Sequence, residues 1–212
     1  MRWPLRIAVL CALVLARPLA VDAQIVDRVL ARVGSQVITL SDVHAALALG
    51  FVRTASGPDP VAEALGALVD RELMLGDVNR YAAPLPEPAA IEARLAAIAR
   101  GFSSQAAYLA ALETVALTPE RLRGKVRDDL RIEAYVDDRF SAPAQPTDDE
   151  AARYYDRHRA EFTRDGQLRP FDEVQALARE RAAAERRAAL VAAWIDRLRQ
   201  NAEIIVLRRP AC

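Results

Sequence analysis

The stretch IVDRVLARVGSQVITLSDV, from Ile25 to Val43, decides the fold. It predicts a strand, a tight turn, a second strand over Gln36 to Leu40 and the start of a helix. Gly34-Ser35 is typical of a two-residue hairpin turn, with Gly34 supplying the positive φ that a type II′ turn needs. We expect Ser41 to cap the helix that follows, with an acidic residue favourably placed in its first turn.

The hairpin also predicts where the far end of the chain lies. An isolated two-stranded hairpin is marginally stable in water and needs a further partner. The other strand-like run is EIIVL, from Glu203 to Leu207. We therefore expect a mainly α fold, a multi-helix module whose small β-sheet is formed by the N-terminal hairpin and a C-terminal strand.

Residues 1–23 have the pattern of a cleavable signal peptide. Two arginines precede a short apolar run, and Val21 and Ala23 fit the −3 and −1 positions of a cleavage site. The alternative is a retained membrane anchor, but that run is shorter than the roughly 20 apolar residues that usually span a bilayer. We expect export to the periplasm.

Composition excludes some function classes. The chain of 212 residues has 29 basic and 29 acidic side chains, so its formal net charge is zero. That balance gives no electrostatic case for binding nucleic acid. Without residues 1–23 the sole cysteine is Cys212. No intramolecular disulfide is then expected, and a free terminal thiol and an intermolecular disulfide stay open as alternatives.

Helical periodicity and capping residues predict seven helices after the hairpin. Thr118-Pro119 is a cap residue followed by proline at the first helical position. Thr147 and Glu150 have the spacing of a capping box. Six of the expected helices span about 42–53, 61–81, 89–100, 118–140, 147–162 and 171–201. One more opens at Ser103 or Ser104 and carries Tyr108, Leu109 and Leu112.

The run SAPAQP, from Ser141 to Pro146, is the best candidate for a boundary. We expect a helical domain over residues 24–140, and C-terminal helices and a strand over residues 141–212 that pack back onto it. A three-four apolar repeat runs along the 171–201 helix. It predicts four buried side chains on the N-terminal body: Leu177, Val191, Ile195 and Leu198. The rival interpretation is an intermolecular seam with a homo- or hetero-oligomeric partner.

The two histidines predict no metal site. His44 and His158 fall in separate helices, without a second ligand at metal-binding spacing. His158 follows Tyr154 by four residues. A proton shuttle is one interpretation of that spacing, and a helix-surface contact is the one we favour.

Charged runs give no catalytic pattern. The adjacent pairs Asp128-Asp129, Asp137-Asp138 and Asp148-Asp149 point about 100° apart on a helix, so they do not converge. The arginine-rich run Ala178 to Arg187 predicts a solvated face with local ion pairs, and contact with anionic lipid is the alternative. We identify no catalytic or cofactor-binding residue, expect no enzyme, and cannot assign client-binding residues from the sequence.

Several pieces of the chain resemble SurA-type periplasmic chaperones. The hairpin with its helix start, VDRVLARVGSQVITLSDV, is similar to the beginning of those proteins, and further pieces follow in the same order. These are ALVDRELMLGDVNRY from Ala67, LTPERLRGKVRDDLRIEAY from Leu117, PTDDEAARYYDRHRAEF from Pro146, RPFDEV from Arg169 and WIDRLRQNAEIIVL from Trp194.

The resemblance has one clear departure. In the family, a parvulin-type prolyl isomerase domain usually lies between the helix of PTDDEAARYYDRHRAEF and the helix that begins in RPFDEV. Here Thr163 to Pro170 alone stands at that place. The resemblance therefore implies the chaperone module without prolyl isomerase activity.

Two functions from different classes follow. The resemblance implies a holdase for unfolded or extended envelope and outer-membrane protein clients, without a cofactor. Grooves between short helices suit such binding on physical grounds as well. The alternative is a non-catalytic adaptor or structural subunit of a periplasmic complex, assembled through the 171–201 helix.

Overall fold

The computed structural model describes residues 27–52 and 58–207. Within them the chain forms an N-terminal hairpin, seven α-helices and a C-terminal strand. The expected signal peptide and Cys212 lie outside the described residues. None of the described helices combines the length and the apolar content needed to cross a bilayer.

The elements follow one another as two strands, six helices with a short hairpin after them, a long helix and a final strand. Their bounds are β1 Val29–Val33, β2 Gln36–Thr39, α1 Leu40–Ala48, α2 Pro60–Arg80, α3 Pro88–Arg100, α4 Gln105–Thr114, α5 Pro119–Phe140, α6 Asp148–Arg157, a 3-10 turn Arg159–Phe162, β3 Thr163–Arg164, β4 Gln167–Leu168, α7 Phe171–Gln200 and β5 Ile204–Val206.

The two ends of the chain meet in one sheet, which confirms the central prediction from the sequence. The strand order is β2-β1-β5, and both pairings are antiparallel. Arg32 lies opposite Val37 on one side and Ile205 on the other. The amide of Gly34 donates to the carbonyl of Glu203 at 3.0 Å, so the hairpin turn itself is bonded to the C-terminal end. Gly34 has the expected positive φ, 57°.

Apolar burial covers one face of this sheet and joins the first helices to it. Ala31 and Ile38 of the sheet pack with Val43 of α1 and Leu68 of α2 in one cluster. A second cluster joins α1 to α3, α4 and α5, with Leu122 and Val126 fully buried. A third, smaller cluster lies between α6, the 3-10 turn and the first half of α7. Each fully buried aliphatic side chain contributes about 1.5–3 kcal/mol of transfer free energy.

Most helix starts agree with the sequence patterns. Thr118 caps α5, and Thr147 with Glu150 forms the expected capping box at α6. Ser104, rather than Ser103, caps α4. Ser41, however, is not a cap. Thr39 caps α1 through a reciprocal capping box with Asp42, because β2 ends at Thr39 and the helix begins at once.

Two predicted helices end earlier than expected. The predicted 42–53 helix stops at Ala48, and Gly50 then takes a left-handed φ of 71° that a helix cannot continue through. The predicted 147–162 helix breaks at His158, after which Arg159–Phe162 forms a 3-10 turn. The segment expected as a polar turn between α6 and α7 is the β3–β4 hairpin, with Asp165 and Gly166 at its tip.

The predicted seam of the last helix is wrong in its details. Leu177, Val191, Ile195 and Leu198 are half-buried, and the fully buried side chains of α7 are Val174, Ala178, Ala182 and Trp194. The reason is that α7 has different partners along its length, α6 near its start and α2 with α5 near its end. A single apolar repeat along α7 cannot face α6 and the α2–α5 pair at once. The division of the chain at residues 141–146 stays a prediction.

Removal of residues from Glu203 onward should destabilise the fold, because it deletes β5 and exposes the surface that Ile204 covers. Partial burial of one Ile corresponds to ~1–2 kcal/mol, so the melting temperature should fall by at least ~3 °C. Thermal unfolding followed by circular dichroism measures this. A control that stops after Leu207 keeps the strand. Equal melting temperatures for the two truncations would show that the C-terminal strand is dispensable.

Candidate functional site

The contact between α2 and α5 is held by a half-buried arginine. Nε of Arg71 donates to Asp129 at 2.5 Å and its Nη1 to Glu72 at 2.7 Å, while Nη2 donates to the carbonyl of Lys125 at 3.2 Å. Burial raises the pKa of the Asp129 carboxyl, and the adjacent Arg71 charge offsets only part of that effect. Arg71 also lines two grooves next to this contact.

A second ion pair joins α1 to α5 close to Arg71. Nζ of Lys125 on α5 lies 3.2 Å from Asp42, whose carboxylate also accepts hydrogen bonds from Thr39. Burial acts to raise the pKa of Asp42, but Lys125 and the Thr39 hydrogen bonds outweigh it, and the net effect lowers that pKa. The carboxylate that caps α1 therefore also anchors α1 to α5.

The first groove, which we call the apolar groove, has a volume of about 370 Å³. It lies between the segment after α1 and helices α2, α3 and α5. Phe51, Val52, Met74 and Ile98 line it and are half-buried, so each presents apolar surface to solvent. At its rim one guanidinium, that of Arg94, donates two hydrogen bonds to a carboxylate of α5, at 3.0 and 2.8 Å.

The second groove, which we call the hairpin groove, has a volume of about 670 Å³. The β1–β2 turn at Gly34-Ser35 and the segment after α7, with Asn201 and Glu203, both line it and are joined by the hydrogen bond from Gly34 to Glu203. Its floor is α2, and α5 closes one side. Its lining is mostly polar and charged, in contrast with the apolar groove.

A buried hydrogen bond holds α7 in place beside the hairpin groove. Nε1 of Trp194 donates to Oδ2 of Asp77 at 3.1 Å, and the two residues are 3% and 7% exposed. The indole also packs on the rings of Tyr135 and Phe140, with centroids 5.6 and 5.5 Å away. Asp77 belongs to α2 and the two rings belong to α5, so Trp194 of α7 contacts both helices.

The histidines that the sequence singled out lie apart from both grooves. His44 is exposed on α1. Nδ1 of His158 lies 2.9 Å from the backbone carbonyl of Tyr154, and the two rings are stacked with centroids 4.1 Å apart. The described residues contain no group of three or more side chains placed to hold a metal ion.

The acidic pairs point to different partners. Asp128 pairs with Arg127 and Asp129 with Arg71, so these neighbours diverge as expected. The arginine-rich run of α7 was expected to form local pairs. Its arginines instead bridge helices: Arg179 and Arg186 pair with α6, Arg181 with Glu161 in the 3-10 turn and Arg187 with Asp137 of α5.

Sequence reasoning missed the residues that shape the site. Trp194 stands between two positions of the predicted seam, Val191 and Ile195, and is not itself part of that repeat. A Trp in a helix rich in Ala and Arg was the available signal, because a buried indole N–H needs an acceptor. Arg71 gave no signal, since it does not interrupt the helical pattern of α2.

Comparison with known proteins gives one informative result. Protein-family models give no match, and no curated protein matches the chain. Among solved structures, similarity is found to one reported for PEB4 and Cj1289 of Campylobacter jejuni, described as two structurally related SurA-like chaperones. The match has a TM-score of 0.54 and 13% sequence identity, and it covers 86% of this chain and 100% of the other.

The fold resembles that of the SurA-like chaperones. The resemblance inferred from the sequence pieces is therefore confirmed at the level of the fold. In the SurA-like fold seen here, Trp194 and the β1–β5 pairing together bring the last third of the chain back to the N-terminal hairpin.

Trp194→Phe should destabilise the protein because it leaves Oδ2 of the buried Asp77 carboxylate without its donor, while Arg80 lies 3.5 Å from the other oxygen. An unsatisfied buried partner costs about 1–3 kcal/mol. Chemical denaturation measures this free energy of unfolding. Tyr135→Phe is the matched control, since it removes a hydroxyl from the same aromatic cluster while keeping the ring, and it should cost less than about 0.5 kcal/mol. If the two variants lost the same free energy of unfolding, the buried hydrogen bond of the indole would contribute no more to stability than the Tyr135 hydroxyl.

Proposed function

We propose that the protein is a periplasmic chaperone that holds extended segments of unfolded envelope proteins, outer-membrane proteins among them, without catalysing a reaction. The observation that carries this proposal is the pair of open grooves beside the α2–α5 contact, in a fold similar to that of SurA-like chaperones. Preformed concave surfaces with apolar walls and a few fixed polar groups are typical ligand sites.

The apolar groove has the chemistry for this role. Phe51, Val52 and Met74 offer apolar contact to a client side chain, and the unbranched thioether of Met74 adapts to different shapes. The rim charges are already paired with each other, for example Arg94 with Glu133. A client therefore needs no charge of its own to enter, which favours sequence-tolerant binding. Ordering an unfolded segment costs entropy, so affinity for any single segment should be modest.

Two observations support a periplasmic location. Residues 1–23 have the composition of a cleavable signal peptide. The similar protein Cj1289 is described as periplasmic. Together they support export of this chain to the same compartment.

The connection between α6 and α7 supports a role without prolyl isomerisation. Thr163 to Pro170 forms the tight β3–β4 hairpin, and the hydroxyl of Tyr155 donates to the carbonyl of Arg169 at 2.6 Å at its base. The parvulin domain of SurA-type proteins is expected at this place, and the segment here is shorter than any catalytic domain.

The proposed holdase activity should appear as suppression of aggregation of chemically unfolded client proteins. Light scattering during dilution of an unfolded outer-membrane protein from urea measures it. Met74→Gln keeps the side-chain length but puts an amide into the apolar groove, and about 1 kcal/mol of lost apolar contact should raise the concentration needed for half suppression about fivefold.

Leu109→Gln is the matched control, because Leu109 is 49% exposed on α4 and does not line either groove. It should leave suppression unchanged. No suppression by the wild-type protein, with one stoichiometric partner recovered instead, would favour the adaptor function over the holdase.

Prolyl isomerase activity should be absent, because the residues between α6 and α7 form a hairpin rather than a catalytic domain. A protease-coupled assay on proline peptides tests this, with a parvulin enzyme as the positive control. Catalysis well above the uncatalysed rate, proportional to the concentration of protein purified free of host isomerases, would contradict the proposal.

A further inference from the structure

Helix α3 forms one wall of the apolar groove and is weakly attached to the rest of the protein. It contributes Arg94 and Ile98 to the lining of the groove. Ile91 is the one buried side chain among its thirteen residues, whereas six of the twenty-one residues of α2 are buried. The free energy needed for a segment to open locally falls as the apolar surface that it buries gets smaller. We therefore expect α3 to separate from its neighbours more readily than α2.

The outer side of α3 faces solvent along its length. Five alanines of this helix are exposed: Ala89, Ala90, Ala93, Ala96 and Ala97. The inner side is a narrow stripe in which Leu95 and Ile98 are half-buried beside Ile91. Alanine is the best helix former. The helix is thus held from one side, and its composition favours movement as one piece.

Two ion pairs join α3 to α5, and we call them the latch. The guanidinium of Arg94 donates to both carboxylate oxygens of Glu133, at 3.0 and 2.8 Å. Arg123 of α5 pairs with Glu92 of α3. A guanidinium bonded to both oxygens of a carboxylate makes a strong and directional contact. Since Arg94 and Glu133 both line the apolar groove, the latch fixes the position of this wall and with it the width of the groove.

Salt should weaken the latch more than the ion pair that joins α2 to α5. The side chains of Arg94 and Glu133 are 41% and 51% exposed, while those of Arg71 and Asp129 are 16% and 22% exposed. Mobile ions screen exposed charges and screen partly buried ones much less. A rise in ionic strength therefore loosens α3 while the α2–α5 contact stays in place.

The segments that flank α3 allow it to turn as a unit. Before the helix, every second residue from Pro84 to Pro88 is proline, which holds the chain extended. After the helix comes Gly101, where an added Cβ would lie 3.2 Å from the carbonyl oxygen of Ile98. A glycine at this close approach also has the widest choice of backbone angles, so it suits a hinge. The next residue, Phe102, packs on the buried ring of Tyr108, with centroids 5.6 Å apart, and keeps the following chain in place.

We propose that α3 is a lid over the apolar groove, hinged at Gly101 and held closed by the latch, and that rising ionic strength releases it. With the latch closed the groove has the width seen in the structure. With the latch released α3 moves outward, and the groove admits larger apolar groups. The lid regulates access to a site of the proposed chaperone function, and it rests on that function only for the identity of what enters the groove.

A buried thiol on α3 reports the opening. The test protein lacks residues 1–23 and carries Cys212→Ser, which removes its sole remaining cysteine. Ile91→Cys then places one thiol on the inner side of α3, with Leu95→Cys as a second reporter on the same stripe. Val78→Cys, in a separate protein, places a thiol at a fully buried position of α2. The ratio of their labelling rates with an uncharged maleimide separates movement of α3 from unfolding of the whole protein.

Arg94→Glu should open the lid, because it sets two carboxylates against each other at the latch. We expect labelling at position 91 to become about fivefold faster relative to position 78. Exchange of the charges, Arg94→Glu together with Glu133→Arg, should restore the original ratio. Salt at roughly 1 M, where the Debye length is about 3 Å, should raise the ratio in the protein with the native latch.

Arg159→Glu is the matched control, because it breaks an exposed ion pair, that with Asp156, outside α3 and the groove. It should leave the ratio unchanged, and a similar rise there overturns the latch. An unchanged ratio in Arg94→Glu, or a rise that the exchanged charges do not reverse, overturns it as well. Equal acceleration at positions 91 and 78 is unfolding of the whole protein and overturns the lid. Aggregation suppression is measured separately: its absence overturns the proposed function and leaves the lid standing.

Discussion

The hydrogen bond between the indole of Trp194 and the carboxylate of Asp77 is the contact on which the arrangement of the chain depends. It joins residues 117 positions apart in the sequence, in a place from which water is nearly excluded. A carboxylate buried to this degree is costly unless it is hydrogen-bonded. The indole donates to one of its oxygens and Arg80 lies 3.5 Å from the other, and packing against Tyr135 and Phe140 fixes the indole ring. With α7 held there, its C-terminal end is directed toward β1, and β5 can complete the sheet.

The parts that sequence could predict are those specified locally. The hairpin, the Thr118-Pro119 start and the Thr147–Glu150 capping box each depend on residues within a few positions of one another. The sheet's third strand was also predictable, because few segments of the chain are β-prone. The error at Ser41 has the same local origin. Thr39 and Ser41 both suit a cap, and the capping box of Thr39 with Asp42, three residues apart, decides between them.

The parts that sequence could not predict depend on more than one partner. The seam of α7 was inferred as if a single surface faced it, but α6 sets the buried positions Val174, Ala178 and Ala182, and α2 with α5 sets Trp194. The grooves could not be predicted from the sequence for a similar reason. Leu73 and Met74 are adjacent apolar residues of one helix, yet Leu73 is buried in the core and only borders the hairpin groove, while Met74 is half-buried and lines the apolar groove. Nothing in their identity separates the two roles.

The β3–β4 hairpin has a consequence for how proteins of this fold are built. Its tip is Asp165-Gly166, both with left-handed backbone, and its two strands run side by side. Neighbouring strands lie about 5 Å apart, so the chain leaves and re-enters the helical body at nearly the same point. A foreign domain whose own termini are adjacent can be grafted there without moving α6 or α7, as exposed loop tips generally allow. The tip is thus a modular junction, at which an enzymatic, fluorescent or affinity unit could be attached to the helical scaffold.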